Sequence, residues 1–334
     1  MRATVKDVAQ RAGVSPKTVS NVINGTVFVR EETRERVLAA LSELDYVPNL
    51  SARGLRNGRS GVIALALPDL TTAYSAETAA AFVELAHERG WGVQIEQTGA
   101  EPQREAELVS RARAQLVDGL VLNPVRLAES AIVTGVQLPP VVLIGEVQQD
   151  LVDSVSVDSA GAAREMTEAL IARGHRRILA LGSAGRDFDI ASARLRTEGY
   201  RQALAEAGLP NDPALEAEVV HWTPANAAQV LREHVQRHGL PDAVFAFTDS
   251  MALGVLHELW RMGVRVPDVV VVAGFDDVVE GRFGVPPLST VAFDKRAFAA
   301  AALELLERRI LDRDAPRAAR FVPHHLEFRA STGD

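Results

Sequence analysis

The chain has no cysteine, so disulfides, thiolate nucleophiles and cysteine metal ligands are excluded. Aromatic residues make up only 5% of the 334 positions, with three tryptophans and three tyrosines. No run approaches the ~18 consecutive apolar residues of a membrane span. The start, MRATVKDVAQ, is polar and has no apolar signal core. These absences read as a cytoplasmic protein without a membrane partner. The hydrophobic fraction of 47% marks the chain as globular.

The net charge of −8 is unevenly spread. Residues 1–60 hold ten Lys/Arg against six Asp/Glu, whereas the rest hold 26 against 38. A basic head on an acidic body points to a polyanion met by the head alone.

The head reads as three short helices. Val5, Val8, Ala9 and Ala12 form one apolar stripe at i, i+3, i+4, i+7, with Thr4 as N-cap and Gly13 as stop. Ser15 caps a second helix with Pro16 in its first turn and Gly25 at its end. Val19, Val22 and Ile23 form its inner face. A third helix, Glu31 to about Leu44, buries Val37, Leu38, Leu41 and Leu44. None is long enough to stand alone in water, so the three share a core. The Gly13-Val14 joint has the size of a helix-turn-helix turn.

With its inner face buried, the second helix presents Pro16, Lys17, Ser20, Asn21 and Asn24. Lys17 suits guanine, Asn21 can pair bidentately with adenine, and Thr18 and Ser20 reach phosphate. The competing reading is a small polar domain that binds a protein.

From residue 62 short apolar runs alternate with amphipathic stretches. Strands are predicted at 62–67, 93–97, 119–123, 141–144, 178–181, 243–247 and 269–274. Helices are predicted at about 75–89, 103–116, 160–173, 193–207, 225–238 and 250–262. Repeated β-α units imply parallel sheets covered by helices. The pattern restarts near Arg177, which implies two lobes with a ligand cleft beyond the strand ends.

The run "VKDVAQRAGVSPKTVSNVING" with "VREETRERVLAALSELDYVPN" resembles the head of the lactose-repressor/galactose-repressor (LacI/GalR) family of bacterial transcription regulators. "VDGLVLNP", "RGHRRILALG", "RLRTEGYRQALAEAGLP", "AVFAFTDSMALGVLHELWRMGVRVPDVVVVAGFDD" and "PPLSTV" extend the resemblance over essentially the whole chain. It implies an α/β chain: a helix-turn-helix head (1–48), a hinge (49–60) and a two-lobed core like periplasmic binding proteins (61–334). Lobe 1 would span about 61–159 and 291–320, and lobe 2 about 160–290 and 321–332. It further implies a homodimer on palindromic double-stranded operator DNA of the nucleoid, modulated by a small molecule in the cleft. No cofactor is implied. The chain ends without a heptad tail, so a dimer is expected and not a coiled-coil tetramer.

On this resemblance Thr4, Ser15, Arg30 and Tyr46 join the DNA-facing set, and so do Asn49, Ala52, Arg53, Leu55 and Arg56 of the hinge. Leu55 takes the place of the leucine that wedges a minor-groove base step. The hinge, a two-turn helix with Gly54 inside it, is expected to order only on DNA. Asn21 stands where arginine is common, Arg30 where a capping Ser or Asp is expected, and Ser51 where an aliphatic residue is expected.

The pocket set is Asp69, Thr72, Tyr74, Arg196, Trp222, Thr248, Asp249, Asp276 and Phe293. Carboxylates and a guanidinium suit vicinal hydroxyls, and Trp222 or Phe293 suits an apolar sugar face. The expected effector is therefore a carbohydrate, with a nucleoside or purine as the alternative. Several members have structural readings too: Asp249 as a cap of the helix at Ser250, Asp276 as a turn cap, Trp222 as core, Arg196 as a surface side chain. Gly145 replaces a common aspartate and Phe293 a common polar residue, which predicts a less polar pocket.

"RGHRR" reads as the basic end of a helix with Gly174 as its cap. His234 and His238 lie four apart without an evident third ligand, so no metal is expected. "GSAGRD" lacks the dinucleotide and P-loop patterns, and neither HExxH nor GxSxG occurs. A transporter solute-binding protein is the second functional reading and an enzyme the third.

Overall fold

The computed structural model describes residues 3–24, 27–46, 59–113, 116–125, 132, 138–147, 149–185 and 190–334. It divides into two units, Met1–Ser60 and Gly61–Asp334.

The first unit contains α1 (Val5–Ala12), α2 (Pro16–Asn24) and α3 (Glu31–Glu43). Thr4 caps α1 reciprocally: its Oγ1 accepts from the Asp7 N–H at 3.4 Å, and the Asp7 carboxylate accepts from the Thr4 N–H at 2.8 Å. Gly13 ends the helix in a left-handed conformation, φ 65°. The Ser15 hydroxyl accepts from the Thr18 N–H at 3.1 Å and starts α2. Val8, Ala9, Ala12, Val19, Val37 and Ala40 form the core, with Val22, Ile23, Leu41 and Leu44 packed on it. Leu38 is the exception, at 48% exposure. The inner stripe of α3 runs through 37, 40, 41 and 44, and position 38 is rotated about 100° away from Val37. Arg30 precedes α3 with no side-chain cap, as its lack of an acceptor predicts.

In the second unit the chain builds β1 (Val62–Leu67), α4 (Ala73–Glu88), β2 (Gly92–Gln97), α5 (Pro102–Arg113), β3 (Gly119–Leu122), β4 (Val141–Ile144) and β5 (Asp153–Val157). It then crosses to a second lobe through α6 (Ser159–Ala172), β6 (Ile178–Leu181), α7 (Ala191–Glu206), β7 (Glu216–Ala217) and α8 (Pro224–His238). That lobe continues with β8 (Ala243–Ala246), α9 (Asp249–Arg261), β9 (Val271–Phe275), α10 (Val279–Arg282) and β10 (Ser289–Phe293). The chain closes with α11 (Lys295–Leu311), β11 (Ala319–Val322) and β12 (His324–Glu327).

One sheet has the order β11-β5-β4-β3-β1-β2 and the other β12-β10-β9-β8-β6-β7. Every pairing is parallel except β10 with β12. Both sheets are therefore buried on two faces, and β1, β3, β4, β6 and β8 read as unbroken apolar runs.

The lobe boundaries shift from the sequence expectation. Residues 291–293 finish β10, where Phe293 pairs with His324, and 321–322 finish β11, where Val322 pairs with Val157. The crossings thus fall after Phe293 and after Val322. Apolar runs mark a strand, but not which sheet supplies its hydrogen-bond partner. Strands β5, β7, β10, β11 and β12 add to the seven strands predicted from the apolar runs, and the 269–274 strand runs from Val271 to Phe275. Helix α11 lies against α4 and against β3, β4 and β5 of the first lobe.

Candidate functional site

The carboxyl ends of strands from both sheets open on a cavity of ≈ 520 Å³. Of the nine expected pocket residues, Asp69, Thr72, Tyr74, Arg196, Trp222, Thr248, Asp276 and Phe293 line it. Asp249 does not.

Arg196 projects from α7 and is almost wholly buried. Its Nη2 lies 2.9 Å from Glu146 Oε1, just past β4 in the other lobe. Its Nε donates to Ser159 Oγ at 3.4 Å, and Nη1 donates to the Phe247 carbonyl. The guanidinium carbon sits 3.6 Å from the Phe275 ring centroid and 5.9 Å from that of Trp222. Ser159 and Ser192 hydroxyls donate to the two Glu146 oxygens at 2.9 and 3.0 Å. Arg196 is thus a cavity residue, not a solvated helix side chain.

Glu146 escaped the sequence reading. Gly145 looked like a lost carboxylate, but the next residue supplies one. The available signal was "VLIGE", an acid directly after a strand and a glycine. Gly145 has φ 95°, and a Cβ there would stand 2.7 Å from Asn123 Oδ1. The backbone can turn Glu146 into the cavity only because position 145 has no side chain. The carboxylate absent at position 145 is thus supplied by Glu146, which lines the cavity beside Asp69, Asp276 and Arg196, while Phe293 stays in its wall.

Asp276 follows β9 with φ 113°, in the region non-glycine residues rarely occupy. Its N–H donates to the Val291 carbonyl at 2.9 Å. Lys295 Nζ donates to the carbonyls of Asp276 and Asp277 at 2.5 and 3.1 Å and pairs with Glu77 at 3.0 Å. Burial pushes the Asp276 carboxyl up to about 7, assisted by Glu146 and Glu77 and opposed by Arg196 and Lys295. The Tyr74 hydroxyl is also raised, by burial first and then by Glu146 and Asp276.

The aromatic wall is Tyr74, Phe293 and Phe298, with successive ring centroids 6.3 and 5.7 Å apart. Trp222 is partly buried, packed on the core at one edge and lining the cavity at another. Asp69 Oδ1 accepts from the Thr71 N–H and hydroxyl at 2.8 Å each. Thr72 caps α4, accepting from the Ser75 N–H at 3.2 Å, and Thr248 caps α9, accepting from the Met251 N–H at 3.2 Å.

Asp249 is fully buried. Its Oδ2 accepts from the Val278 N–H at 2.9 Å and its Oδ1 from the Thr290 hydroxyl at 2.6 Å. It pins the β9–α10 turn to β10. Since Thr248 is the cap of α9, Asp249 is neither that cap nor a cavity residue. Its position in "FTDS" is one step past the rim, and helical rotation turns it inward.

In the head, Ser15, Pro16 and Lys17 are exposed, and Thr18, Ser20 and Asn21 are partly so. Arg30 is exposed, Thr4 is engaged in its cap, and Tyr46 packs partly against the helical core. Asn24 is the last residue of α2. Asn49, Ala52, Arg53, Leu55 and Arg56, with Ser51 and Gly54, lie outside the described residues, as does Gly25.

The basic run after α6 meets the helix end. Arg173 donates to the Ala169 carbonyl at 3.5 Å and Arg176 to that of Ile171 at 2.7 Å, with Gly174 at φ 101° one residue past the cap. The His234 and His238 rings are 5.2 Å apart, and no group of three possible metal ligands occurs among the described residues. No helix among them is long and apolar enough to cross a membrane.

Residues 4–49 match the family model described as bacterial regulatory proteins, lacI family, and residues 167–332 that of a periplasmic binding protein-like domain. The chain is 30% identical to catabolite control protein A of Priestia megaterium over 99% of this chain and 100% of that one. It is similar to the structure of a transcriptional regulator CelR–cellobiose complex, at 30% identity and TM-score 0.71, covering 99% of this chain and 100% of that one. It is also similar to the lac repressor dimer bound to operator and the anti-inducer ONPF, at 27% identity and TM-score 0.84, covering 99% of each.

Proposed function

The chain belongs to the lacI family of bacterial regulatory proteins, and we propose that it is a cytoplasmic repressor that binds a palindromic operator as a homodimer and responds to a carbohydrate in the inter-lobe cavity. The relatives it resembles are transcriptional regulators.

One observation carries the effector reading. A buried guanidinium and three carboxylates share a cavity with the rings of Tyr74, Trp222 and Phe293. The polar groups suit sugar hydroxyls and the rings suit an apolar sugar face. The similarity to a regulator solved with cellobiose supports the same class.

The cavity walls come from two lobes, so a ligand that binds one lobe arrangement better shifts the equilibrium between arrangements. The segment 49–60 is the proposed coupling to DNA, with Leu55 as the minor-groove wedge. Lys17, Ser20 and Asn21 are the proposed base- and phosphate-facing residues of α2.

An apolar face on the second lobe supports self-association. Leu253, His257 and Trp260 share one side of α9, and a Cβ placed on Gly284, which lies between the exposed Phe283 and Val285, would stand 3.6 Å from Leu253. Trp260 is 75% exposed, Phe283 81% and Val285 93%. A patch of this kind marks an interface.

Two measurements test the reading. A gel shift with palindromic DNA should show sequence-dependent binding at moderate salt; its absence, with and without candidate ligands, overturns the regulator assignment. A thermal-shift screen over sugars, nucleosides and purines should register a sugar; stabilisation by a purine alone overturns the carbohydrate assignment.

A further inference from the structure

Among the described residues that line the cavity there is one arginine, and it is already neutralised. Arg196 pairs with Glu146 at 2.9 Å, and both side chains are largely removed from solvent, at 5% and 16% exposure. Its remaining donors are directed to Ser159 Oγ and the Phe247 carbonyl, and its face is covered by Phe275. The nearby ammonium of Lys295 is held by Glu77 and two backbone carbonyls. Two further carboxylates, Asp69 and Asp276, line the same space. Asp69 would stand against an incoming anion, joined by Asp276 to the extent that its raised carboxyl is ionised, and like charges brought together away from water repel strongly.

We propose that this cavity accepts only uncharged polyhydroxylated ligands and rejects their phosphorylated or carboxylated counterparts, with Glu146 as the residue that sets this selectivity. The inference rests on the cavity being the effector site. Glu146 acts in two ways. It withdraws Arg196 from any ligand phosphate, and its oxygens, oriented by Ser159 and Ser192, accept from ligand hydroxyls. Asn123 beside Gly145 and the aromatic wall add contacts that carry no net charge. A neutral sugar loses nothing to the negative field, whereas a sugar phosphate meets Asp69, Glu146 and a partly ionised Asp276, with Arg196 and Lys295 both already committed to other acceptors.

The test uses the full chain and its Glu146→Gln and Glu146→Ala variants, with retained fold checked by circular dichroism. Thermal shift and titration calorimetry are run with inorganic phosphate, glucose 6-phosphate, glucose and cellobiose, with potassium chloride matching ionic strength. The wild type should show no phosphate-specific stabilisation, and any sugar it binds should be held at least about tenfold more tightly than its phosphate. Glu146→Gln, which frees the guanidinium, should gain binding of inorganic phosphate or glucose 6-phosphate, and Glu146→Ala should do the same. Phosphate binding to the wild type, or folded variants that reject anions as the wild type does, overturns the proposal. Failure of every neutral sugar counts against the carbohydrate reading instead, because the phosphate comparison between wild type and variants requires no sugar to bind.

Discussion

Arg196 and Glu146 meet at 2.9 Å from opposite lobes, the arginine from the second turn of α7 and the glutamate from just beyond β4. They are 50 residues apart in sequence, and their pairing ties the two lobes together at the floor of the cavity.

Arg196→Met should cost about 3 kcal/mol of stability, because it leaves Glu146 buried without its cation. Urea denaturation of the core measures this. The same variant should lose the effector response while the head still binds DNA, read by gel shift. An unchanged midpoint would mean that the pair contributes nothing to lobe cohesion.

Asp249 makes a different prediction from its neighbours in the cavity. Asp249→Ala removes the acceptor of the Val278 N–H and the Thr290 hydroxyl, and should destabilise by about 2 kcal/mol or more. Asp249→Asn should be milder, since burial already favours the neutral carboxyl there. Gly274→Ala should be as damaging as the alanine, because a Cβ would lie 2.1 Å from Asp249 Oδ1. A direct ligand contact would instead weaken binding at unchanged stability.

The Asp276 carboxyl is raised from 3.8 to about 7. The folded state holds a proton that the unfolded state releases, so its stabilisation is complete below about pH 4 and is lost as pH rises towards 7. The amplitude is on the order of a few kcal/mol. Asp276→Asn should flatten this part of the stability–pH curve, measured by denaturant midpoints from pH 4 to 8. A variant curve parallel to the wild type would show that Asp276 does not titrate in that window.

Glu105, on α5, is buried with Oε2 lacking a hydrogen-bond partner, and burial raises its carboxyl to about 7. Glu105→Leu should stabilise the protein by about 2 kcal/mol at pH 8. The gain should shrink at pH 5, where the native carboxyl is protonated. Thermal melts at the two pH values distinguish this from a uniform packing effect.

In the head, Asn21→Ala should relax discrimination at one operator base pair by about 1–3 kcal/mol. Lys17→Ala should weaken binding too, and the salt dependence shows whether it meets phosphate or base: a phosphate contact lowers the slope by about one. Binding-site selection with each variant reads both.

Much of the architecture was legible in local pattern. The apolar stripes and caps of α1 and α2, the β-α alternation and most of the cavity residues stand next to strand ends or caps that are visible in the sequence. Leu38 was misplaced because a helix position's fate depends on which partner face is present. Glu146 was not legible in the sequence because its approach to the cavity depends on the backbone of Gly145, whose φ of 95° turns the next side chain inward.

The amino-acid sequence by itself determined most of the elements, the two-part organisation and the polar face of α2, because helix and strand periodicity, caps and charge are local properties. Only the tertiary structure decided that Arg196 is neutralised by Glu146, that Asp249 is a brace and not a ligand contact, and that the sheet boundaries lie at Phe293 and Val322. Those outcomes depend on which groups become neighbours across tens or hundreds of residues, and on the burial that then makes a hydrogen bond or an ion pair obligatory.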